Sequence, residues 1–508
     1  MTHPDGLIAI LRRTGRPAKP DADWPRVRLD EDGWRRLRAG FAGGGLDLVA
    51  LWGEPEAVHA AVREGADAAI FTLGCSAVGA YPALGQTHPP AIRLERAMQD
   101  LVGLCPQGLP DQRAWLDHGR WPIRHPLGVM RPAGGVAPYE FLPVEGEGLH
   151  QVPVGPVHAG TIEPGHFRLT VNGETVVRLE ARLGYAHKGT MRLMIGAPLA
   201  TAARLAGRIS GDSTVAYAYA FARAVEAACA VEAPPRAQWL RALMAELERL
   251  ANHLGDIGAI CNDAAFAILH THCGVLREQV LRACHVAFGH RLMMDRIVPG
   301  GVWANPGEGG LKAVQQASAA IRKAFPRLIE VYDETNSLQD RTVGTGVVRP
   351  EWAKQFAAGG FVGRASGRDF DARKWRPYEL YRDLTFETPV LTQGDVNARV
   401  WVRIREVERS LDLLDQLFAD APPWPLKSHM DTMPPPQGAE GAALVESFRG
   451  DIFMWVRLAA DGKVAACHFR DPSWFQWPLV EAAIEGNILA DFPLCNKSFN
   501  CAYSGHDG

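Results

Sequence analysis

His158, His166 and His187 could each take up and release a proton near neutral pH, where the ordinary pKa of imidazole lies. Glu163 and Asp212 offer carboxylates to the same chemistry, and Asp212 stands between two hydroxyls in Arg208-Ile209-Ser210-Gly211-Asp212-Ser213. A hydrogen-bonded loop or core role would suit His158, His166, His187 and Asp212 equally well. His158 follows Gly155-Pro156, a loop signal, and its loop location raises its functional share. Nine cysteines, at 75, 105, 229, 261, 273, 284, 467, 495 and 501, form no Cys-x-x-Cys pair. An odd, scattered set suits a reducing cytosol better than a disulfide framework. Most therefore read as small buried apolar residues, and Cys495 and Cys501 would respond to oxidants only if exposed.

These residues must be positioned by more than one core, because 508 residues exceed an ordinary domain. Hydrophobic residues at 47% and charged residues at 22% indicate globular packing. A net charge of -3 without a Lys/Arg block gives no reason to expect nucleic acid. The start MTHPDGLIAILRR lacks the regions of a signal peptide, and no uncharged apolar run reaches the roughly 18 residues needed to cross a bilayer. A soluble chain is expected, with any membrane contact made through partner subunits. In the first 125 or so residues, Gly43 to Gly45 precede a strand at 46–52, and Glu54 to Arg63 predicts a helix. A dinucleotide-binding loop needs the glycines after the strand, so NAD is not expected to bind here. Residues 126–154, rich in Pro and Gly, predict a linker and a boundary near 140, giving domains 1–140 and 141–508. Beyond it, Arg168 to Val171 and Thr175 to Leu179 predict a hairpin, with Asn172-Gly173 as a type I′ turn. Leu240, Leu243, Leu247, Leu250 and Leu254, and later Val400, Ile404, Val407, Leu411, Leu414 and Phe418, predict helices packed by one apolar stripe each. Asp451 to Leu458 and Lys463 to Phe469 read as strands, before a final helix and an irregular end.

Two ordered blocks near the start resemble the 30 kDa subunit of respiratory complex I: His88-Pro89-Pro90-Ala91 leading into Glu95-Arg96-Ala97-Met98, and Gly108-Leu109-Pro110-Asp111-Gln112-Arg113 with Trp121-Pro122. The remainder resembles the 49 kDa subunit of complex I and the large subunits of group 4 membrane-bound [NiFe] hydrogenases. The matching blocks include Gly155-Pro156-Val157-His158, Leu183 to Gly189, Glu246 to Leu254, Asp340 to Val347, Gly394-Asp395-Val396 and Arg470-Asp471-Pro472-Ser473. Fusion of the two parts is a pattern of hydrogenase-3 and hydrogenase-4 type large subunits. The resemblance implies an α+β chain: a small N-terminal α/β domain, then a mainly helical bundle with peripheral β-hairpins.

Hydrogenases of this family hold nickel on four thiolates, from Arg-x-Cys-Gly-x-Cys and a C-terminal Asp-Pro-Cys-x-x-Cys. Here the first motif carries Ser210 and Ser213, and in the second at most Cys501 survives, with Ser504 as its partner. Hydroxyl oxygen is too hard and too weakly acidic to replace thiolate, so no metal is expected. The alternative that the resemblance implies is a quinone site. His158 matches the loop that approaches the quinone headgroup, and His166 falls near a second loop histidine of the family. Ile209 stands where the family has a tyrosine, and Met191 where it has a proton-carrying glutamate, so Asp212 or Glu163 would have to substitute. Catalytic roles are thus expected for His158, His166, His187 and Asp212, with Glu163, Arg208, Ser210, Ser213 and Cys501 lining the site. The segments at His158, at His187, at Ser210 to Ser213 and at Cys501 to Asp507 are expected to converge around one cavity. Implied partners are an iron-sulfur small subunit, which holds the cluster, and membrane subunits, placing the chain on the inner face of the cell membrane. NAD and quinone binding both belong to the family's description, and only quinone could touch this chain. A non-catalytic scaffold subunit is the alternative, and an active hydrogenase the least supported.

Overall fold

The computed structural model describes residues 6–19, 23–76, 78–158, 162–419, 421–422, 426–427 and 438–508. The first five residues of the start sequence, and 159–161 between His158 and His166, lie outside the described residues.

Near the N-terminus, β1 (Arg16–Lys19), β2 (Arg26–Leu29), β3 (Asp47–Glu54), β4 (Ala57–Glu64) and β5 (Asp67–Gly74) form one sheet in the order β1-β2-β5-β4-β3. Only β2 and β5 pair in parallel. Three helices pack on it: α1 (Leu7–Thr14), α2 (Glu31–Ala42) and α3 (Pro89–Val102). Trp34, Leu37, Leu94 and Met98 share one core with Leu48, Leu51, Val58 and Phe71. The Asp30 carboxylate caps α2 by accepting from Gly33 N, and α3 opens on two prolines and closes on Gly103 at φ 85°. β4 replaces the helix expected over 54–63. Its alanines and charged residues favour helix, but it is the middle strand of a meander, buried continuously from Val58 to Val62. Small side chains suit a strand covered on both faces, and tertiary position overrides propensity.

The expected linker carries only a two-residue pairing of Ile123–Arg124 with Arg131–Pro132 until Leu149. There a three-stranded antiparallel sheet begins, formed by Leu149–Val154, His166–Asn172 and Thr175–Arg182. The predicted hairpin is present, but its turn is centred at Gly173-Glu174, and only Gly173 takes a positive φ, 57°. A type I′ turn would need two such residues, so the turn is of another type.

Long helices follow, among them Thr214–Cys229, Pro235–Asp263, Ala267–Phe288, Gly307–Glu334 and Val396–Ala419. The five leucines of the first predicted stripe are buried on Pro235–Asp263, and the second stripe is buried on Val396–Ala419, with Phe418 half-buried at its end. A second antiparallel sheet, Glu440–Glu446, Asp451–Leu458 and Val464–Arg470, packs on Thr214–Cys229. The same sheet meets β3: Trp52 packs against Phe453, Trp455 and His468, and Arg470 Nε donates to the Val49 carbonyl at 2.6 Å. The chain is α+β, and no helix among the described residues is long and apolar enough to cross a membrane.

Candidate functional site

Asp212 lies on one 3-10 turn, Gly211–Ser213, that leads into Thr214–Cys229. Its Oδ1 accepts from Ser210 Oγ at 2.8 Å and Ser213 Oγ at 3.1 Å, so both flanking hydroxyls face the carboxylate. Opposite stands Arg449, on the turn between the strands Glu440–Glu446 and Asp451–Leu458. Its Nη1 and Nη2 reach Asp212 Oδ1 and Oδ2 at 3.1 and 2.5 Å, and its Nε donates to the Asn500 carbonyl at 2.5 Å. The guanidinium therefore bridges the Ser210–Ser213 segment to the C-terminal stretch. Burial works to raise the Asp212 carboxyl, but the charge of Arg449 and the four donors outweigh it and hold the pKa down to about 2. Behind the pair, Asn252 Nδ2 donates to the Asp212 carbonyl at 2.9 Å. Glu248 accepts from Val215 N and Ala216 N at 2.7 and 3.1 Å, at the start of the helix, and burial pushes its carboxyl up to about 8.

The histidine loop closes on itself. His158 Nε2 donates to the Gly165 carbonyl at 2.8 Å, and His166 Nδ1 to the Gly155 carbonyl at 3.1 Å. Burial lowers the His166 pKa. A Cβ on Gly165 would meet the Tyr503 ring at 2.6 Å, so the loop presses on the C-terminal stretch. Glu163 accepts from Ser504 N and Oγ, both at 3.0 Å. On the other side, His187 Nδ1 donates to the Asp507 carbonyl at 2.7 Å and its ring stacks on Trp121 at 4.7 Å. Burial lowers its pKa as well. Ala186 N donates to Asp507 Oδ2 at 2.8 Å, and Lys188 Nζ donates to the carbonyls of Arg208 and Ile209, both at 2.7 Å. The four segments thus meet.

One of the expected lining residues does not face this junction. Arg208 turns outward and makes a two-pronged pair with Asp295 at 2.7 Å for both bonds. Cys501 is buried with its sulfur 3.9 Å from Gln476 Oε1, and desolvation raises its thiol far above the usual range. The possible nickel donors are therefore three hydroxyls and one thiol, and Asp212, Glu163 and Gln476 already engage them. Soft-metal chemistry does not fit such a set. Arg449 is the functional group that sequence reasoning missed. Its only signal is Arg449-Gly450 between two strand-like runs, with Gly450 at φ 134°.

The respiratory-chain NADH dehydrogenase 49 Kd subunit family matches residues 264–440. Formate hydrogenlyase subunit 5 of Escherichia coli (strain K12) is 32% identical over 440 residues, 84% of this chain and 77% of that protein. The chain belongs to the hydrogenase-related 49 kDa-type large subunits. The carbon monoxide-induced hydrogenase of Rhodospirillum rubrum is 28% identical over 355 residues, 69% of this chain and 97% of that protein. Among solved structures, a chain of the membrane-bound sulfane sulfur reductase, an archaeal respiratory membrane complex, aligns with a TM-score of 0.67 at 29% identity. That alignment covers 72% of this chain and 100% of the other. In this 49 kDa-type subunit, the Asp212–Arg449 ion pair joins the Ser210–Ser213 segment to the C-terminal stretch, which the histidine loop meets directly.

Proposed function

We propose that this large subunit, within a complex I-like or hydrogenase-related membrane oxidoreductase, passes electrons from a neighbouring iron-sulfur subunit to a quinone or similar acceptor, with no metal of its own. The carrying observation is the convergence of the segments that carry His158, His187 and Asp212 on the C-terminal stretch. Reduction of a quinone consumes two electrons and two protons. His158, half-buried beside the exposed Val157, is the imidazole placed to give one proton at a loop tip. Asp212 is a positioning residue: held ionised by Arg449, it has no proton to give near neutral pH. His166 and His187, each engaged with a carbonyl, orient the loop and the C-terminal stretch. The chain is peripheral on the inner face of the membrane, held there by its partners.

The test is electron transfer to quinone analogues by the purified intact complex. His158→Ala in an assembled complex is expected to lower the rate about 100-fold, the usual worth of a positioned general acid. An unchanged rate would favour the scaffold reading, which the closure of His158 onto Gly165 supports. Protein made in cells with an active nickel-maturation pathway should contain no stoichiometric nickel by elemental analysis. About one nickel per chain would overturn the metal-free reading.

A further inference from the structure

We infer that Glu446 and His253 hold between them one exchangeable proton, a store that serves the candidate site. This rests on the electron-transfer reading above for its purpose, though not for its existence. Three guanidiniums, Arg249, Arg364 and Arg373, face four carboxylates, Glu246, Asp371, Glu406 and Glu446, and none of the seven residues is more than 5% exposed. Arg373 holds Asp371 with bonds of 3.0 and 2.6 Å and reaches Glu246 at 2.9 Å. Arg364 spans Glu406 at 2.8 Å and Glu446 at 2.9 Å, and Arg249 lies 3.4 Å from Glu246 and 3.8 Å from Glu406. The adjacent charges are committed elsewhere: Arg403 to Asp256 at 3.2 Å, and Asp451 to Arg470. Tyr381 donates to Glu246, and the Tyr378 hydroxyl accepts from Glu446 N. The cluster is thus one positive charge short, and an uncompensated buried carboxylate is costly enough that the group takes up a proton instead.

Two groups can take that proton. Glu446 is the least supported carboxylate, met by Arg364 on one oxygen and by Ala372 N at 2.9 Å on the other. His253 touches Glu406 at 2.6 Å through Nε2, while its buried Nδ1 has no hydrogen-bond partner. Desolvation, reinforced by Asp371, pushes the Glu446 carboxyl up to about 7, and desolvation pushes His253 down, so the proton rests on Glu446 near neutral pH. The store is tied to the site by shared elements. Glu446 ends the strand that leads, three residues on, to Arg449. Arg249 donates to the carbonyls of Glu446 and Ser447 at 3.0 and 2.9 Å, from the same helix whose Asn252 holds the Asp212 backbone. The store is a source for the second of the two protons that a reduced quinone needs.

The experiment is an infrared titration of the full chain with 13C-labelled glutamate, paired with potentiometric titration of wild type and Glu446→Gln. A protonated-glutamate carbonyl band is expected that disappears over roughly pH 6 to 8, with contributions from the buried Glu95 and Glu248 as well; the Glu446 component is the one missing in Glu446→Gln, which should release one proton fewer per chain across that window. Asp212→Asn should leave the band in place. A Glu446 carboxyl ionised throughout, with His253 neutral by nitrogen NMR, would overturn the store. If Glu446→Gln does not fold, Glu446→Asp replaces it: the unlabelled aspartate should remove the same component from the glutamate band, and an unchanged band would overturn the store. Failure of quinone reduction with the band present would sink the functional reading and leave the store standing. Absence of the Glu446 component in an active complex would sink the store alone.

Discussion

At the scale of single residues, the candidate site is organised by one ion pair. The Asp212 carboxyl falls from its ordinary 3.8 to about 2. Its stabilising contribution is therefore complete above the unfolded value and is lost as pH falls through the folded one. Because the Asp212 side chain is 37% exposed, solvent screens part of that effect. Asp212→Asn should flatten the acid limb of a stability-against-pH curve below about pH 4, read by chemical denaturation at each pH. An acid limb identical to wild type would show that other carboxylates carry it. At neutral pH, Asp212→Ala leaves the buried Arg449 short of partners and should cost about 1–3 kcal/mol. Most of this constellation was legible beforehand, since Asp212, Ser210, Ser213, His158 and His187 lie in recognisable blocks. Arg449 was not, because it reaches Asp212 across 237 positions of sequence and sits in a turn whose residues show no periodicity. The outward course of Arg208 was equally hidden, because its partner Asp295 has no motif around it.

At the scale of elements, the turn that carries Arg449 depends on a glycine. Gly360 opens the short helix Gly360–Ala365 at φ 61°, and a Cβ there would strike the Arg449 carbonyl. Gly360→Ala should therefore destabilise the chain by about 1–3 kcal/mol through strain at a left-handed position and loosen the ion pair. The control is Gly309→Ala, within the exposed first turns of Gly307–Glu334, where a Cβ would meet nothing. That change should be neutral or stabilise by about 0.4–1 kcal/mol. Differential scanning calorimetry of the two variants checks both, and equal melting temperatures would refute the close approach. The element-level reading succeeded where one face is apolar at helical spacing, as along Leu240 to Leu254. It failed at β4, whose alanines read as helix in isolation, because burial on both faces comes from neighbours that a local window does not contain. The Gly173 turn was placed one residue early for a related reason: register is set by strand pairing, not by the turn dipeptide alone.

At the scale of the whole molecule, the large subunit leaves apolar side chains uncovered around its site. Val157 is 86% exposed and Leu193 58%, close to the histidine loop and to the His187 turn in sequence. Partner subunits of the membrane complex are expected to cover them, so the isolated chain should aggregate as it is concentrated. Val157→Asp should improve its monodispersity in light scattering while weakening co-purification of the partners. Unchanged behaviour in both measurements would remove this face from the assembly. A different consequence follows from the seam between the β3 sheet and the sheet Glu440–Arg470, where Arg457 bonds Glu54 and Arg470 bonds Val49 across 403 and 421 positions. At a ribosomal pace of about 5–20 residues per second, those partners emerge roughly 20–80 s after β3 itself. During that interval Trp52 waits without Phe453, Trp455 and His468. The newborn N-terminal sheet is thus expected to keep one apolar face open until the strands Asp451–Leu458 and Val464–Arg470 have been made.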